Sequence, residues 1–376
     1  MVKVLNIITD TNLGGAGRVL INYLKYCDKS NFDVSAAVPA GSVLTQRLRA
    51  LDTRVYEIDG MQDRSYDRAV IKPLRKLINE IQPDIVHTHG SLSGRIAGRR
   101  CGKKIVYTRH SAFPVKGYMK HGPGRWLNKL INEHYADSII AVGKAAADNL
   151  TDAGISPDLI QIIMNGSEPV KKAEDSERRD LRAFYGFNDN DFVLGMMARI
   201  ETYKGHDDAV DALRLLIDEG YADEHGIKLI IAGDGSYSDD LKKRCGSLTD
   251  NGYVVFAGFI EDVSRILPVM DVQVNASYGT EVTSLALIEG MSTGLPSIVS
   301  DYGGNPMMVD DGVNGLIYRT RDVGALADCV KKIAGDRELY SKMRVGAERI
   351  YGERFTGEIF AAKTEEVYYR LKGERA

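Results

Sequence analysis

Two glutamates frame an otherwise small and apolar segment of the chain. The stretch GTEVTSLALIEGMSTGLPSIVSDYGG runs from Gly279 to Gly304, with Glu281 and Glu289 on either side of its apolar run. The run ends at Gly294 and predicts a helix that begins near Thr283. Glu281 then lies in the loop before the helix and Glu289 nearly two turns on. Two carboxylates so placed could accept hydrogen bonds from sugar hydroxyls.

The same helix start could also bind a phosphate. Thr283, Ser284 and Leu285 supply the amides of the predicted first turn, and such amides have no partner inside the helix. A capping glutamate followed by a solvated helix glutamate would give the same spacing, so the pattern alone leaves a purely structural role open.

Two basic residues follow a strand-like run in FVLGMMARIETYKG. Arg199 and Lys204 are five residues apart in the predicted strand end and loop. There they could converge on two neighbouring phosphates, Arg as a planar fork and Lys as a point charge. Isolated basic residues on loops are more often simply solvated, and that alternative stays open.

A glycine-rich turn follows the first strand-like run. In TNLGGAGRV, Gly14, Gly15 and Gly17 would let the backbone approach a ligand, and the helix after them could direct its N–H groups at an anion. The turn is neither a GxGxxG fingerprint nor a GxxxxGK[ST] loop. A tight turn without a ligand is an equal alternative.

These turns need parallel strands to position them. Short β-branched runs alternate with amphipathic runs in both halves of the chain, the signature of βαβ units. The pattern breaks at MNGSEP and the charged run KKAEDSERRDLR, which indicate a linker. We therefore predict two doubly wound Rossmann-like domains, residues 1–165 and 166–354, and a final helix over 355–376.

Composition narrows the class of protein. The 376 residues carry a net charge of −3, so no global attraction to nucleic acid is expected. Four widely spaced cysteines argue against a zinc site and a disulfide scaffold and favour a reducing cytoplasm. The chain opens without signal-peptide features, and no run reaches the ~18 apolar residues of a membrane span. The expectation is a cytoplasmic protein, peripheral on the membrane's inner face at most.

One stretch departs from this charge balance. Residues 85–132 contain no Asp or Glu, and the segment from Arg95 to Lys129 is strongly basic. Its apolar members include Phe113, Tyr118, Met119 and Trp126. The combination suits an anionic bilayer or a phosphorylated, lipid-linked acceptor. The alternative is a solvated face with Trp126 in the core; RNA binding lacks any module signature.

Taken in order, these motifs resemble glycosyltransferase family 4, the retaining enzymes with the GT-B fold. Glu281 and Glu289 match its E-x7-E motif, and MARIETYKGHDDAVDAL resembles its diphosphate loop. The runs LIIAGDG, VVFAGFIEDV and IIMNGSEP match its other recurring turns. The resemblance extends from about Met1 to about Tyr318 and implies two Rossmann-like domains facing across a cleft. It also implies that the final helix, 355–376, packs back on the first domain.

The resemblance also implies roles for single residues. Glu289 would hold the nucleotide ribose, Glu281 the donor sugar, and His110 in YTRHS would lie close to the transferred sugar. Arg199 and Lys204 would neutralise the leaving diphosphate. The remaining donor contacts would come from Gly14, Gly15, Gly17, Gly233, Gly235, Thr283, Ser284, Leu285 and the backbone of Ile260.

A nucleotide-sugar, UDP- or GDP-linked, would be the donor, and a glycan or lipid-linked molecule of a bacterial envelope the acceptor. No metal or other cofactor is expected, because cations and helix dipoles can stabilise the leaving group. His87 and His89 in HTHG are interpreted as one core residue and one polar loop residue rather than a metal pair.

One departure from the family concerns the donor sugar. The family commonly has an E-G-F-G-type sequence where this chain has Glu281-Val282-Thr283-Ser284, so the fitted sugar can differ. Two other functions stay open. A nucleotide-sugar 2-epimerase shares the fold, and an inactive sugar-nucleotide binding protein would bind donor without transferring it.

Overall fold

The chain folds into two compact units. The computed structural model describes residues 1–115 and 117–373, apart from the side chain of Tyr118. The first unit comprises Met1–Ser167 together with the segment from Phe355 onward, and the second comprises Glu168–Arg354.

The first unit is built on a seven-stranded parallel sheet. Its strands are β1 (Val2–Ile8), β2 (Phe32–Pro39), β3 (Arg54–Ile58), β4 (Ile85–His89), β5 (Lys104–Arg109), β6 (Ser138–Ala141) and β7 (Ile160–Ile162). Its first helices are α1 (Gly15–Tyr26), α2 (Leu44–Arg49), α3 (Arg68–Ile81), α4 (Leu92–Arg100), α5 (Gly117–Lys120), α6 (Gly122–His134) and α7 (Lys144–Asp152). The strand order β3-β2-β1-β4-β5-β6-β7 reverses between β1 and β4. In such sheets ligands bind beyond the carboxyl ends of the strands where the order reverses.

The second unit repeats this design with six parallel strands. They are β8 (Phe192–Met197), β9 (Ile227–Ala232), β10 (Val254–Gly258), β11 (Val272–Asn275), β12 (Ser297–Ser300) and β13 (Gly315–Tyr318). Its helices are α8 (Asp175–Phe184), α9 (His206–Asp218), α10 (Tyr221–His225), α11 (Ser238–Asp250), α12 (Leu285–Ser292), α13 (Asn305–Met308), α14 (Val323–Gly335) and α15 (Arg337–Arg354). The order β10-β9-β8-β11-β12-β13 reverses between β8 and β11.

The last helix, α16 (Gly357–Lys372), belongs to the first unit. A Cβ at Gly357 would lie 2.1 Å from the ring of Tyr26 on α1, so only glycine permits this approach. Tyr368 is fully buried and packs its ring 5.8 Å from that of Phe32. The Glu365 carboxylate accepts a hydrogen bond from the Asp28 amide at 2.8 Å.

Several boundaries differ from the sequence prediction. Strands β3, β7 and β13 were not predicted. Strands β3 and β7 are only partly buried and lack a continuous apolar run. The charged run that indicated a linker instead contains α8, whose Arg182 is 1% exposed. Its guanidinium pairs with the Asp271 carboxylate and donates to the Val269 carbonyl at 3.1 Å, which satisfies a charge that burial would otherwise penalise.

Candidate functional site

In the second unit the predicted donor residues collect where the strand order reverses. The loop after β8 carries Arg199 and ends in a 3₁₀ turn, Thr202–Lys204. The loop after β11 carries Glu281 and leads to α12. Because β8 and β11 are adjacent parallel strands, both loops leave the same edge of the sheet. This edge brings together residues 77 positions apart in the chain.

Lys204 and Glu281 form a buried ion pair at this edge. The Lys204 Nζ lies 2.8 Å from Glu281 Oε2, with side chains 14% and 8% exposed. The same oxygen accepts hydrogen bonds from Ser277 Oγ at 2.9 Å and Asn275 Nδ2 at 3.3 Å. The carboxylate therefore holds the ammonium in one position at the mouth of the loops.

Glycines allow the neighbouring loop to pack directly on backbone. A Cβ at Gly233 would lie 1.9 Å from the Ala198 carbonyl oxygen, and one at Gly235 would lie 2.3 Å from the Ile200 carbonyl oxygen. The Ile200 amide donates to the Asp234 carbonyl at 3.0 Å. These two predicted donor residues therefore shape the loop that carries Arg199.

A second pair of glycines holds the Glu281 segment. Gly303 and Gly304 follow β12, and the Gly304 amide donates to the Glu281 carbonyl at 3.1 Å. A Cβ at Gly304 would lie 1.5 Å from the Val282 carbonyl oxygen. Any larger residue there would have to displace the loop that orients Glu281.

Helix α12 begins later than predicted. Its N-cap is Ser284, whose Oγ accepts from the Leu287 amide at 3.4 Å, and its first helical residue is Leu285 rather than Thr283. The Ser284 amide is directed at the Met308 sulfur at 3.3 Å. Of the three predicted phosphate-binding amides, only that of Leu285 lies in the first helical turn. Glu289 lies half-buried at the start of the second turn.

Two other predicted donor residues lie near this edge. Arg199 is exposed, and its guanidinium is 3.5 Å from the Tyr203 hydroxyl. Ile260 follows β10 and packs its side chain against the apolar cluster around Ile230 and Val269. That packing leaves its main chain as the group that could meet a base.

In the first unit the predicted GGAG turn forms the start of α1. Gly14 is its N-cap and Gly15 its first residue, so Gly17 lies within the helix. Gly17 is buried against Leu44, 2.8 Å from where its Cβ would stand. Gly17 therefore has a packing role in addition to any ligand contact.

A carboxylate from the preceding loop, that of Asp10, already contacts the first turn of α1. Asp10 accepts a hydrogen bond from the Gly17 amide. Burial and the nearby Asp63 raise the pKa of Asp10 to about 6, against a usual value of 3.8. An incoming phosphate would compete with this group, so the role of Gly14, Gly15 and Gly17 in donor binding stays a prediction.

His110 lies beside two other histidines. Its Nε2 is 2.9 Å from Nδ1 of His89, whose Nε2 is 3.1 Å from Asn6 Oδ1. His87 and His89 are 3% and 6% exposed, so the prediction of a polar loop residue is wrong: both side chains lie on the same covered face of β4. Among the described residues no group of three or more His, Cys, Asp or Glu is arranged to hold a metal ion.

Two arginines of the basic stretch, Arg95 and Arg99, have partners within the first unit. Arg95 is 5% exposed, stacks 4.3 Å from the Tyr107 ring centre and donates to Asn132 at 2.9 Å. Arg99 pairs with Asp137 at 3.1 Å. These guanidiniums are structural, whereas Lys116 and the side chain of Tyr118 lie outside the described residues.

Helix α6 presents its apolar side chains outward. Trp126, Leu127 and Leu130 are 64%, 51% and 50% exposed, so Trp126 is not in the core. The inner face is polar: Asn128 donates to the Ala153 carbonyl at 2.9 Å, and Glu133 accepts from the Ser156 amide at 2.9 Å. None of the helices in the described part of the chain is long and apolar enough to cross a bilayer.

Sequence reasoning missed three polar residues that complete these sites. Asn275 and Ser277 orient Glu281, and Asn6 contacts His89. Asn6 interrupts an apolar strand in VKVLNII, and NAS begins with Asn275, the last residue of β11, so polar residues within or just after buried strands were the available signal.

Comparisons with known proteins identify the family of the chain. Residues 177–349 match the family model for glycosyl transferases group 1, and residues 13–169 match that for glycosyltransferase family 4. An Escherichia coli UDP-Gal:alpha-D-GlcNAc-diphosphoundecaprenol alpha-1,3-galactosyltransferase is 27% identical over 90% of this chain and 89% of its own. The N-acetyl-alpha-D-glucosaminyl L-malate synthase of Bacillus anthracis is 26% identical over 81% and 79%.

Solved structures have the same fold. The crystal structure of Anabaena Alr3699/HepE in complex with UDP aligns with a TM-score of 0.83 and 20% identity, over 98% of this chain and all of that one. A Rickettsia africae glycosyltransferase aligns with a TM-score of 0.83, also at 20% identity, over 99% and 98%. With matched models spanning both parallel-sheet units, the chain belongs to glycosyltransferase family 4 and has the GT-B fold.

Proposed function

We propose that the protein transfers a sugar from a UDP- or GDP-sugar to a glycan or lipid-linked acceptor in bacterial envelope synthesis, with retention at the anomeric carbon. The observation that carries the proposal is the buried Lys204–Glu281 pair beyond β8 and β11. Retention is carried over from the family resemblance.

The pair suits cleavage of a sugar–phosphate bond. An ammonium has three N–H donors, and Glu281 orients Lys204 through one of them. The remaining donors can face a diphosphate, whose negative charge grows as the bond to the sugar breaks. A cation fixed before the reaction stabilises that charge without reorganisation. Arg199 and the Leu285 amide would contribute to the same stabilisation.

Named relatives support the donor and acceptor classes. Structures of Anabaena Alr3699/HepE were solved with UDP and with UDP-glucose. The Escherichia coli relative uses UDP-Gal and a diphosphoundecaprenol-linked sugar. A uridine donor and a lipid-linked acceptor are therefore the first compounds to test.

Nucleotide binding tests the donor site. Thermal shift and calorimetry would compare UDP, GDP, ADP and their common sugar conjugates in EDTA, with Glu289→Ala beside the wild type. Glu366, an exposed helical glutamate, gives the matched control Glu366→Ala. We expect one nucleotide to stabilise the wild type and the control but not Glu289→Ala. Binding that is absent, or equal in all three proteins, would refute the ribose role of Glu289.

Turnover tests the leaving-group role. Lys204→Ala should lower turnover on the order of 10²-fold, by analogy with the loss of one charge-stabilising donor. Unchanged turnover in a folded Lys204→Ala variant would remove Lys204 from the mechanism. The anomeric configuration of the product, read by NMR, tests retention.

The same assays separate the two rival functions. A 2-epimerase would convert the sugar nucleotide without an acceptor, and chromatography of the nucleotide alone would detect its epimer. A binding protein would leave the sugar nucleotide unchanged with every acceptor. The retained Glu281, Glu289, Arg199, Lys204 and His110 favour transfer.

The outward face of α6 supports a membrane-bound acceptor. Trp126, Leu127 and Leu130 are exposed on a helix that also carries Arg125 and Lys129. Such a surface would partition into the boundary of an anionic bilayer, at the inner face of the cell membrane.

Vesicle flotation tests this surface. The protein should float with phosphatidylglycerol vesicles and less with phosphatidylcholine vesicles, and Trp126→Gln/Leu130→Gln should abolish flotation. Phe184→Gln is the matched control, because Phe184 is 77% exposed on α8. Flotation that the double change leaves intact would refute a role for α6.

A further inference from the structure

Three imidazole rings form a stack toward the carboxyl ends of the adjacent strands β4 and β5 of the first sheet. The ring centres of His87 and His89 are 4.6 Å apart, and those of His89 and His110 are 5.1 Å apart, with interplanar angles of 26° and 24°. His87 and His89 are alternate residues of β4, and His110 directly follows the neighbouring strand β5. Side chains two residues apart lie on the same face of a strand, which aligns the rings.

The hydrogen bonds along the stack have a direction. Asn6 on β1 is fully buried and points its carbonyl oxygen at His89 Nε2, 3.1 Å away. An amide oxygen only accepts, so His89 Nε2 carries the proton and His89 Nδ1 is an acceptor in the neutral ring. His110 Nε2, 2.9 Å from that Nδ1, must then be the donor.

All three rings are neutral at pH 7, so each has one N–H donor and one acceptor nitrogen. Burial, with the neighbouring His110, lowers the pKa of His87 to about 3. Burial and the nearby Arg109 lower the pKa of His110 to about 4. Burial and its two neighbouring histidines also lower the pKa of His89. A neutral imidazole that donates through Nε2 keeps a lone pair on Nδ1.

We propose that Asn6 and His89 are positioning residues that fix His110 as its Nε2–H tautomer, with Nδ1 presented as a hydrogen-bond acceptor for a sugar hydroxyl. The inference deepens the proposed function, because it rests on the role of His110 beside the transferred sugar. Nδ1 of His110 then accepts a hydrogen bond from a sugar hydroxyl and cannot donate one to a ring or phosphate oxygen.

The far end of the stack is held independently of this direction. His87 Nδ1 is 2.6 Å from the Tyr368 hydroxyl of α16, and His87 Nε2 is 2.6 Å from Thr108 Oγ1. Hydroxyls both donate and accept, so these contacts fix the ring without choosing its tautomer. The choice at His110 therefore comes from Asn6.

Reversal of the Asn6 carboxamide gives the opposite prediction. Its nitrogen would donate to His89 Nε2, every donor along the stack would exchange with its acceptor, and His110 would present Nδ1–H. In the structure Asn6 Nδ2 is buried without a hydrogen-bond partner among the described residues and lines a small cavity with Val19 and Tyr23. The tautomer of His110 therefore shows in which direction the hydrogen bonds from Asn6 through His89 to His110 run.

Histidine-selective ¹⁵N NMR of the full chain tests the proposal. The chain has seven histidines, so each resonance can be assigned by single substitution. We expect the His110 pattern of a neutral Nε2–H ring in the wild type. Asn6→Leu should produce a mixture of tautomers, and Tyr368→Phe, the matched control, should leave the His110 pattern unchanged.

Other outcomes decide against it. An Nδ1–H pattern for His110 in the wild type overturns the proposal, as does an unchanged pattern in Asn6→Leu. If Asn6→Leu does not fold, His89→Phe removes the same acceptor from His110 and keeps a stacked ring, and its His110 pattern decides.

Kinetics separate this inference from the proposed function. Asn6→Leu should lower kcat on the order of 10- to 100-fold, by analogy with the loss of groups that orient metal-binding histidines, with little change in the donor KM. If the wild type transfers no sugar, the proposed function fails while the NMR result still decides the tautomer. If it transfers sugar and Asn6→Leu keeps full kcat, only the positioning role fails.

Discussion

Acidification should destabilise this protein more steeply than its net charge suggests. Four histidines have pKa values lowered by burial: His87 to about 3, His110 and His206 to about 4, and His89 in the same direction. The usual histidine pKa in an unfolded chain is about 6.5. Above about pH 6.5 these histidines are neutral in both the folded and the unfolded protein, so they do not change the free energy of unfolding. As the pH falls below it, the unfolded state binds protons that the folded state cannot, so stability decreases.

The size of the loss follows from the same values. At pH 5, about 1.5 units below the unfolded pKa, each such histidine lowers the free energy of unfolding by about 2 kcal/mol. His87, His110 and His206 together contribute about 6 kcal/mol. Asp10 acts in the opposite direction, because its raised pKa lets the folded state bind a proton first; at a partly exposed site we allow it about 1 kcal/mol. The net loss is comparable to the entire stability of many domains.

Urea unfolding at pH 7 and pH 5, followed by circular dichroism, measures this loss. His206→Gln removes one buried titrating group of the second unit, so the difference between the two pH values should shrink by about 2 kcal/mol. His121→Gln, at an exposed histidine, is the matched control and should leave the difference unchanged. A wild type equally stable at both pH values, or a difference that His206→Gln does not alter, would refute the reasoning.

Three further experiments test the packing of the second unit. Lys204→Met should lower the free energy of unfolding by about 3 kcal/mol, and adding Glu281→Gln should recover much of it without restoring turnover, as a double-mutant cycle in urea would measure. Gly304→Ala should weaken nucleotide binding because its Cβ has no space, whereas Gly352→Ala, with no atom within 4 Å, should raise thermal stability slightly. Arg182→Met should lower the unfolding free energy by about 2 kcal/mol, since Asp271 loses its buried partner and keeps only the half-exposed Arg178 as an ion-pair partner among the described residues.

Much of the architecture could be predicted because most strands are marked by short apolar runs in the sequence. Runs such as VLGM and LIIA are buried on both faces and therefore stand out as continuous apolar segments. The charged segment around α8 could not be read in the same way. Burial of Arg182 depends on its ion pair with the Asp271 carboxylate, 89 residues away, and on hydrogen bonds to backbone carbonyls such as that of Val269.

The residues of the candidate site could be predicted from the sequence, but the contacts between them could not. Spacing and order indicated Glu281 and Lys204 separately, but their contact depends on β8 and β11 being neighbours in the sheet. Local pattern carries no information on such adjacency. Helix α6 shows the converse limit: its apolar periodicity is real, yet polar anchors such as Asn128 turn that face outward.

The placement of α16 bears on how the chain folds during synthesis. The first unit needs residues from both ends of the described chain, since Tyr368 packs against Phe32 and bonds to His87. A ribosome delivers the whole of the second unit, Glu168–Arg354, before it delivers α16. The second unit can therefore complete its core while the first still exposes the groove that α16 will fill. We expect the growing chain to become protease-resistant in the order second unit, then first, the reverse of the order in which their sheets are translated.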